Sequence, residues 1–132
     1  MAYLKLRRPA QCVLLLAAVL LYASGCSSSS DTKPTLASPG KVTLVEFGSL
    51  TCAPCKMMEK VLDEMRLQFP ENLDIVFIDV QKHPETAKTY GVRMIPTQIV
   101  FDAAGTQVFH HIGFIGVENL TKAITPFLEK KP

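Results

Sequence analysis

Two cysteines with two residues between them, in Cys52-Ala53-Pro54-Cys55, are the groups in this 132-residue chain best suited to chemistry. A Cys-x-x-Cys pair can exchange disulfides, or it can supply half of a zinc site. A structural zinc site needs four ligands, and the other candidates in this part of the chain are His83, His110 and His111. His110 and His111 are adjacent, so in a strand they point to opposite faces. Ligand count therefore favours redox chemistry, and no metal is expected. Met57, Met58 and Met65 raise the thought of copper, but methionines at helical spacing read as core or groove filling.

Redox chemistry needs the pair at a helix mouth. The first amides of a helix lack internal partners and carry the positive end of its dipole, which stabilises an anion such as a thiolate. Cys52 is the expected exposed nucleophile there. Cys55, about one turn further in on the same side, can attack a mixed disulfide on Cys52 and release the product. Pro54 suits the first turn, where its missing N–H costs nothing. The redox-active disulfide Cys52–Cys55 is then the working group, with no separate cofactor.

The elements that must place this pair are legible as periodicities. Residues 42–47 form a β-branched run closed by Gly48, read as a buried strand. Residues 52–69 carry Met58, Val61, Leu62, Met65 and Phe69 on one helical face. Residues 74–80 read as a second buried strand, 84–90 as a short helix stopped by Gly91, and 97–101 as a third strand. Residues 106–112 complete a hairpin after the turn Ala103-Ala104-Gly105. Residues 117–130 form a last helix with Leu120, Ile124, Phe127 and Leu128 inward, bent or ended near Pro126. The order β-α-β-α-β-β-α defines an α/β domain with a mixed four-stranded sheet flanked by helices. Strands separated by a helix are expected to pair in parallel, and the terminal hairpin antiparallel.

The first forty residues read as an address. Lys5, Arg7 and Arg8 precede an uncharged run over 13–23, whose length suits a signal peptide better than a membrane span. Of 14 basic and 12 acidic residues, those three carry the positive excess, so the remainder is slightly acidic. No basic face is left for nucleic acid. Ala23-Ser24-Gly25-Cys26 resembles a bacterial lipobox, with Ala23 where Leu is usual. The resemblance implies a signal peptide over 1–25 and lipidation of Cys26 as the first mature residue. With Ser27 next, the enteric sorting rule implies the outer membrane. Cys12 falls inside the leader. Residues 26–40 are rich in Ser, Thr and Pro and read as a flexible tether, leaving 41–132 as the domain.

Val45-Glu46-Phe47, then Cys52-Ala53-Pro54-Cys55-Lys56, then residues 90–97 with Ile95-Pro96-Thr97, then Gly113, together resemble thioredoxin. The likeness covers residues 41–130 and implies a thioredoxin-like fold. It implies that Pro96 is a cis proline facing the cysteines and that the backbone of Ile95 pairs with a substrate strand. It also implies that Glu46 takes the place of a buried Asp that relays the proton of Cys55, and that Thr51, Ala53 and Pro54 border the substrate. Four departures stand out. Thr51 replaces a Trp, Ile75 stands where a buried Lys accompanies the Asp, Lys60 replaces a helix-kinking Pro, and only the tether precedes Val42 in place of the usual first strand and helix.

The expected activity is thiol–disulfide oxidoreduction on the outer side of a bacterial membrane, in the direction of protein-disulfide reduction, by a monomer anchored through Cys26. The compartment implies electrons from a membrane thiol donor of the DsbD or CcdA type. Two other readings share these residues: a disulfide oxidase or isomerase, and a non-catalytic thioredoxin-like binding module.

Overall fold

A computed structural model describes residues 35–129. The signal-peptide and lipidation assignments, Cys12 and Cys26 included, lie outside the described residues. The elements are β1 (Val42–Gly48), α1 (Ala53–Gln68), β2 (Leu73–Asp79), α2 (Pro84–Thr89), β3 (Thr97–Phe101), β4 (Gln107–Ile112) and α3 (Val117–Leu128). Each begins and ends within a residue or two of the expected bounds.

The sheet order is β2-β1-β3-β4. β1 and β2 are parallel, while β3 is antiparallel to both β1 and β4. The expectation that a helix between strands implies parallel pairing therefore holds for α1 and fails for α2. Six helical residues advance the chain by about 9 Å, whereas a seven-residue strand runs about 23 Å. The helix itself covers less than half of a strand's length, and Thr97 opens β3 opposite Phe47, at the end where β1 and β2 finish.

Strand alternation gives the sheet two different faces. Val42 and Leu44 of β1 and Val100 of β3 meet Met58, Val61, Leu62 and Met65 of α1 and Leu120 and Ile124 of α3. Val45, Phe47, Ile99 and Phe101 face the other way, against Ala87 and Tyr90. There the Tyr90 ring sits 5.8 Å from Phe47 and 5.9 Å, edge on, from Phe101.

Two expectations change. β2 is half-buried rather than buried, because it pairs only with β1 among the described residues. Residues 36–40, placed in the tether by composition, lie against the domain. Leu36 and Ala37 pack beside the Tyr90 cluster, Leu36 N–H donates to the Tyr90 hydroxyl at 3.1 Å, and Ser38 bonds Thr43 and Asp74. Two apolar side chains within a polar stretch suffice to dock it.

Candidate active site

Cys52 is the N-cap of α1, with extended backbone and no side-chain cap. Its N–H donates to Ser49 O at 3.1 Å, and its carbonyl accepts the first helical bond from Lys56 N–H at 3.1 Å. Pro54 occupies the first turn. Thr51, Ala53 and Pro54 are exposed around a half-exposed Cys52, whereas Cys55 is 3% exposed. Both cysteines are free thiols, and the Cys55 thiol is hydrogen-bonded to Cys52. Burial, then that bond, push the Cys55 thiol up to about 12; a backbone bond from Ser49 opposes this, and the charges of Cys52 and Glu46 add to it. The geometry thus presents an accessible sulfur in front of a sheltered one that holds its proton.

Gly48 makes this approach possible. A Cβ there would lie 2.9 Å from the Phe77 ring, 3.4 Å from Cys55 Cβ and 3.5 Å from Cys55 Sγ. Two residues earlier on the same face of β1 is Glu46, 1% exposed. Its Oε2 accepts a 2.9 Å hydrogen bond from Gln98 Nε2. Burial pushes the Glu46 carboxyl up to about 8, with the Gln98 bond pulling the other way. The β2 neighbour of Glu46 is Phe77, not Ile75 as the resemblance had it, because Glu46 pairs with Phe77 in the parallel register. An apolar ring occupies the place expected for a cation.

The Ile95–Pro96 bond is cis. Register sets Thr97 opposite Phe47, which brings Pro96 across from Gly48 and hence to the Cys55 end of β1. Pro96 O accepts from Gly113 N–H at 2.7 Å, and Thr97 Oγ1 donates to Met94 O at 2.7 Å, pinning the turn on both sides. Leu50 and Met57, next to the cysteines in sequence, and Met94 and Phe114, next to this turn and to Gly113, are large and exposed. A cleft of about 200 Å³ beside Ile95 is lined by Val80, Ala87, Val92, Arg93 and Met94.

The histidines lie apart from this centre. His83 caps α2, His110 is exposed, and His111 is half-buried and stacks on Phe109. No cluster of three His, Cys, Asp or Glu residues suited to a metal occurs among the described residues. Sequence reasoning missed Gln98 and Phe77, and treated Gly48 only as a strand end. The signal for Gln98 was a long polar side chain directly before the apolar run Ile99-Val100-Phe101.

A four-stranded mixed sheet, helices on both faces and a Cys-x-x-Cys at a helix mouth define a thioredoxin-like fold. The thioredoxin family model matches residues 24–126. Thioredoxin of Staphylococcus aureus is 40% identical over 87 residues, covering 66% of this chain and 83% of that protein. A solved mutant thioredoxin from Halobacterium salinarum is 31% identical with a TM-score of 0.63, covering 70% of this chain and 80% of its own. A solved malarial protein matches in fold alone, at 20% identity and a TM-score of 0.63, over 67% of this chain and 98% of its own. The chain belongs to the thioredoxin family. That family comprises thiol–disulfide oxidoreductases acting on protein thiols and disulfides.

Proposed function

We propose that this chain is an extracytoplasmic dithiol reductase of protein disulfides, held to a bacterial membrane by a lipid on Cys26. The observation that carries the reaction is the asymmetry of the pair: Cys52 half-exposed at the helix mouth, Cys55 buried behind it. The Cys52 thiolate attacks a substrate disulfide, and one substrate sulfur leaves with the electron pair. Cys55 gives up its proton to Glu46 in its ionised form and attacks Cys52, breaking the mixed disulfide and releasing the second substrate thiol. Cys52 and Cys55 end as a disulfide, and the substrate has gained two electrons from the pair and two protons from solvent. Ile95 and Pro96 dock the substrate strand, with Thr51, Ala53 and Pro54 at its border.

The environment of Cys55 supports the reducing direction. Burial, Cys52 and the Glu46 carboxyl all disfavour its thiolate. A strong oxidant of this kind works because its reduced form is stabilised, and no cation appears among the influences on Cys55. The basic start, the apolar run and Cys26 support the location, and the location calls for a membrane thiol donor of the DsbD or CcdA type to re-reduce the pair.

The domain is expected to reduce insulin with dithiothreitol as electron source. Cys52→Ser should abolish this, and persistent turnover in that variant would overturn the assignment. The potential of the pair should lie nearer about −270 mV than about −120 mV; the opposite result reverses the direction and makes the protein an oxidase. Cys26→Ser should release the protein from the membrane fraction.

A further inference from the structure

Gln98 is fully buried on the face of β3 that carries no other polar side chain, and it stands directly opposite Glu46 in the antiparallel register. Opposed residues of paired strands are the ones whose side chains meet. Gln98 Nε2 donates to Glu46 Oε2, while Glu46 Oε1 and Gln98 Oε1 are both buried without a hydrogen-bond partner. Orphaned buried acceptors are uncommon and ask for a reason. Here one proton supplies it. An ionised carboxylate and an amide oxygen are both acceptors, but a proton on Glu46 Oε1 makes that atom a donor, for which the unpartnered Gln98 oxygen of the same side-chain pair is an acceptor. Carboxylic acid and carboxamide then close a pair of antiparallel hydrogen bonds, and both orphans are satisfied together.

We propose that Gln98 is a positioning residue for thiol–disulfide exchange: it holds Glu46 by Oε2, so that the proton leaving Cys55 is received at Oε1 and its hydrogen bond is accepted by Gln98 Oε1. This rests on the reading of Cys52 as attacker and Cys55 as resolver. The step balances within the mixed disulfide. Glu46 first gives its resting Oε1 proton to solvent; Cys55 then loses its own proton to the emptied Oε1, its electron pair bonds Cys52 Sγ, the bond from Cys52 to the substrate sulfur breaks, and that sulfur leaves with the pair and takes a proton from water. The burial that makes Cys55 reluctant to ionise is what calls for a well-held acceptor. Gln98 itself touches no substrate.

Gln98→Met keeps the side-chain length and removes both hydrogen-bonding atoms. The test uses the full-length chain with Cys12 and Cys26 replaced by serine in every arm, reacted with an aromatic disulfide that releases one coloured thiol on attack by Cys52 and a second on resolution by Cys55. Gln98→Met should slow the second release at pH 7 by about tenfold and leave the first unchanged. In a Glu46→Leu background the same substitution should change the second release by less than about twofold, because no carboxyl remains to be positioned. Equal slowing in both backgrounds assigns Gln98 a packing role and overturns the proposal. Infrared spectroscopy gives an independent reading. The carbonyl stretch of protonated Glu46, identified by its loss in Glu46→Gln, should move to higher frequency in Gln98→Met as its hydrogen bonds are removed; an unmoved band overturns the pairing. A wild-type chain that releases no second thiol would break the resolver reading, and the infrared band then decides the Glu46–Gln98 pair on its own.

Discussion

The two faces of one sheet are built from alternate residues of the same strands, and they do different work. Towards α2, β1 and β3 present Val45, Phe47, Ile99 and Phe101, an apolar set closed by the Tyr90 ring. Towards α1, the same strands present Leu44, Glu46 and Gly48 beside Gln98 and Val100. The first face is packing except at its Thr97 end, where that hydroxyl pins the turn before Pro96. The second begins as packing under α1 and α3 and ends, at the Cys55 end of β1, in a buried carboxyl, a buried amide and a missing side chain. Moving one residue along β1 crosses from one regime to the other. Stability and redox chemistry can therefore be perturbed separately in this domain, although the residues concerned are adjacent in sequence.

The sharpest test of that separation is Phe47→Ala. Phe47 is among the largest fully buried side chains, and truncating such a residue costs about 3–5 kcal/mol. Urea unfolding should show that loss, while the potential of the Cys52–Cys55 pair in the remaining folded protein should be unchanged. A changed potential would show that the two faces are coupled.

Glu46 should do the reverse, through pH. Its folded pKa is raised to about 8 from 4.5, so between those values the folded state binds more protons than the unfolded one. Stability is then full below pH 4.5, falls as pH rises, and levels off above about 8. Each tenfold difference in proton affinity between the two states corresponds to about 1.4 kcal/mol, so the fall amounts to a few kcal/mol. Urea unfolding of the reduced domain across this window should show it, and Glu46→Gln should remove it, since an amide keeps the shape and does not titrate. A wild-type profile as flat as that of Glu46→Gln would mean that the carboxyl is ionised in the fold.

Most of this division was legible in the sequence, and the gaps have physical causes. Met58, Val61, Leu62 and Met65 announce the buried stripe of α1 by spacing alone, and Cys52 and Pro54 announce its first turn. The partner of Glu46 on β2 was misplaced by two residues, at Ile75 in place of Phe77. Alternation could not have caught this, because positions 75 and 77 lie on the same face; only the pairing register separates them. The direction of β3 was not fixed by the six-residue α2, because the seventeen residues of 80–96 are long enough to return the chain either way; the pairing with β1 decides it. The part played by Gln98 becomes visible only from its neighbour across the ladder, Glu46. Residues 36–40 were hidden by composition, since a Ser- and Pro-rich stretch reads as unbound even when two of its side chains dock.

Gly48→Ala gives a smaller and more local perturbation at the boundary between the regimes. The new methyl group would press on the Phe77 ring at 2.9 Å and on Cys55. Overpacking of this kind costs about 1–3 kcal/mol, and it should slow resolution by Cys55 more than attack by Cys52. Equal effects on the two steps would mean that the backbone at Gly48 yields as a whole.

The mildest substitution tests the apolar face from outside. Leu36 is partly buried against the Tyr90 cluster, and its N–H donates to the Tyr90 hydroxyl. Leu36→Ala leaves that backbone bond in place and removes only apolar contact, so it should cost about 1 kcal/mol. The Cys52–Cys55 potential and both exchange steps should not move, because Leu36 packs in the Tyr90 cluster and the cysteines sit under the opposite face. Hydrogen exchange at the Leu36 amide should speed up together with the stability loss. If the amide exchanges faster while global stability holds, residues 36–40 open by themselves, and the strap is an attachment to the apolar face rather than a part of it.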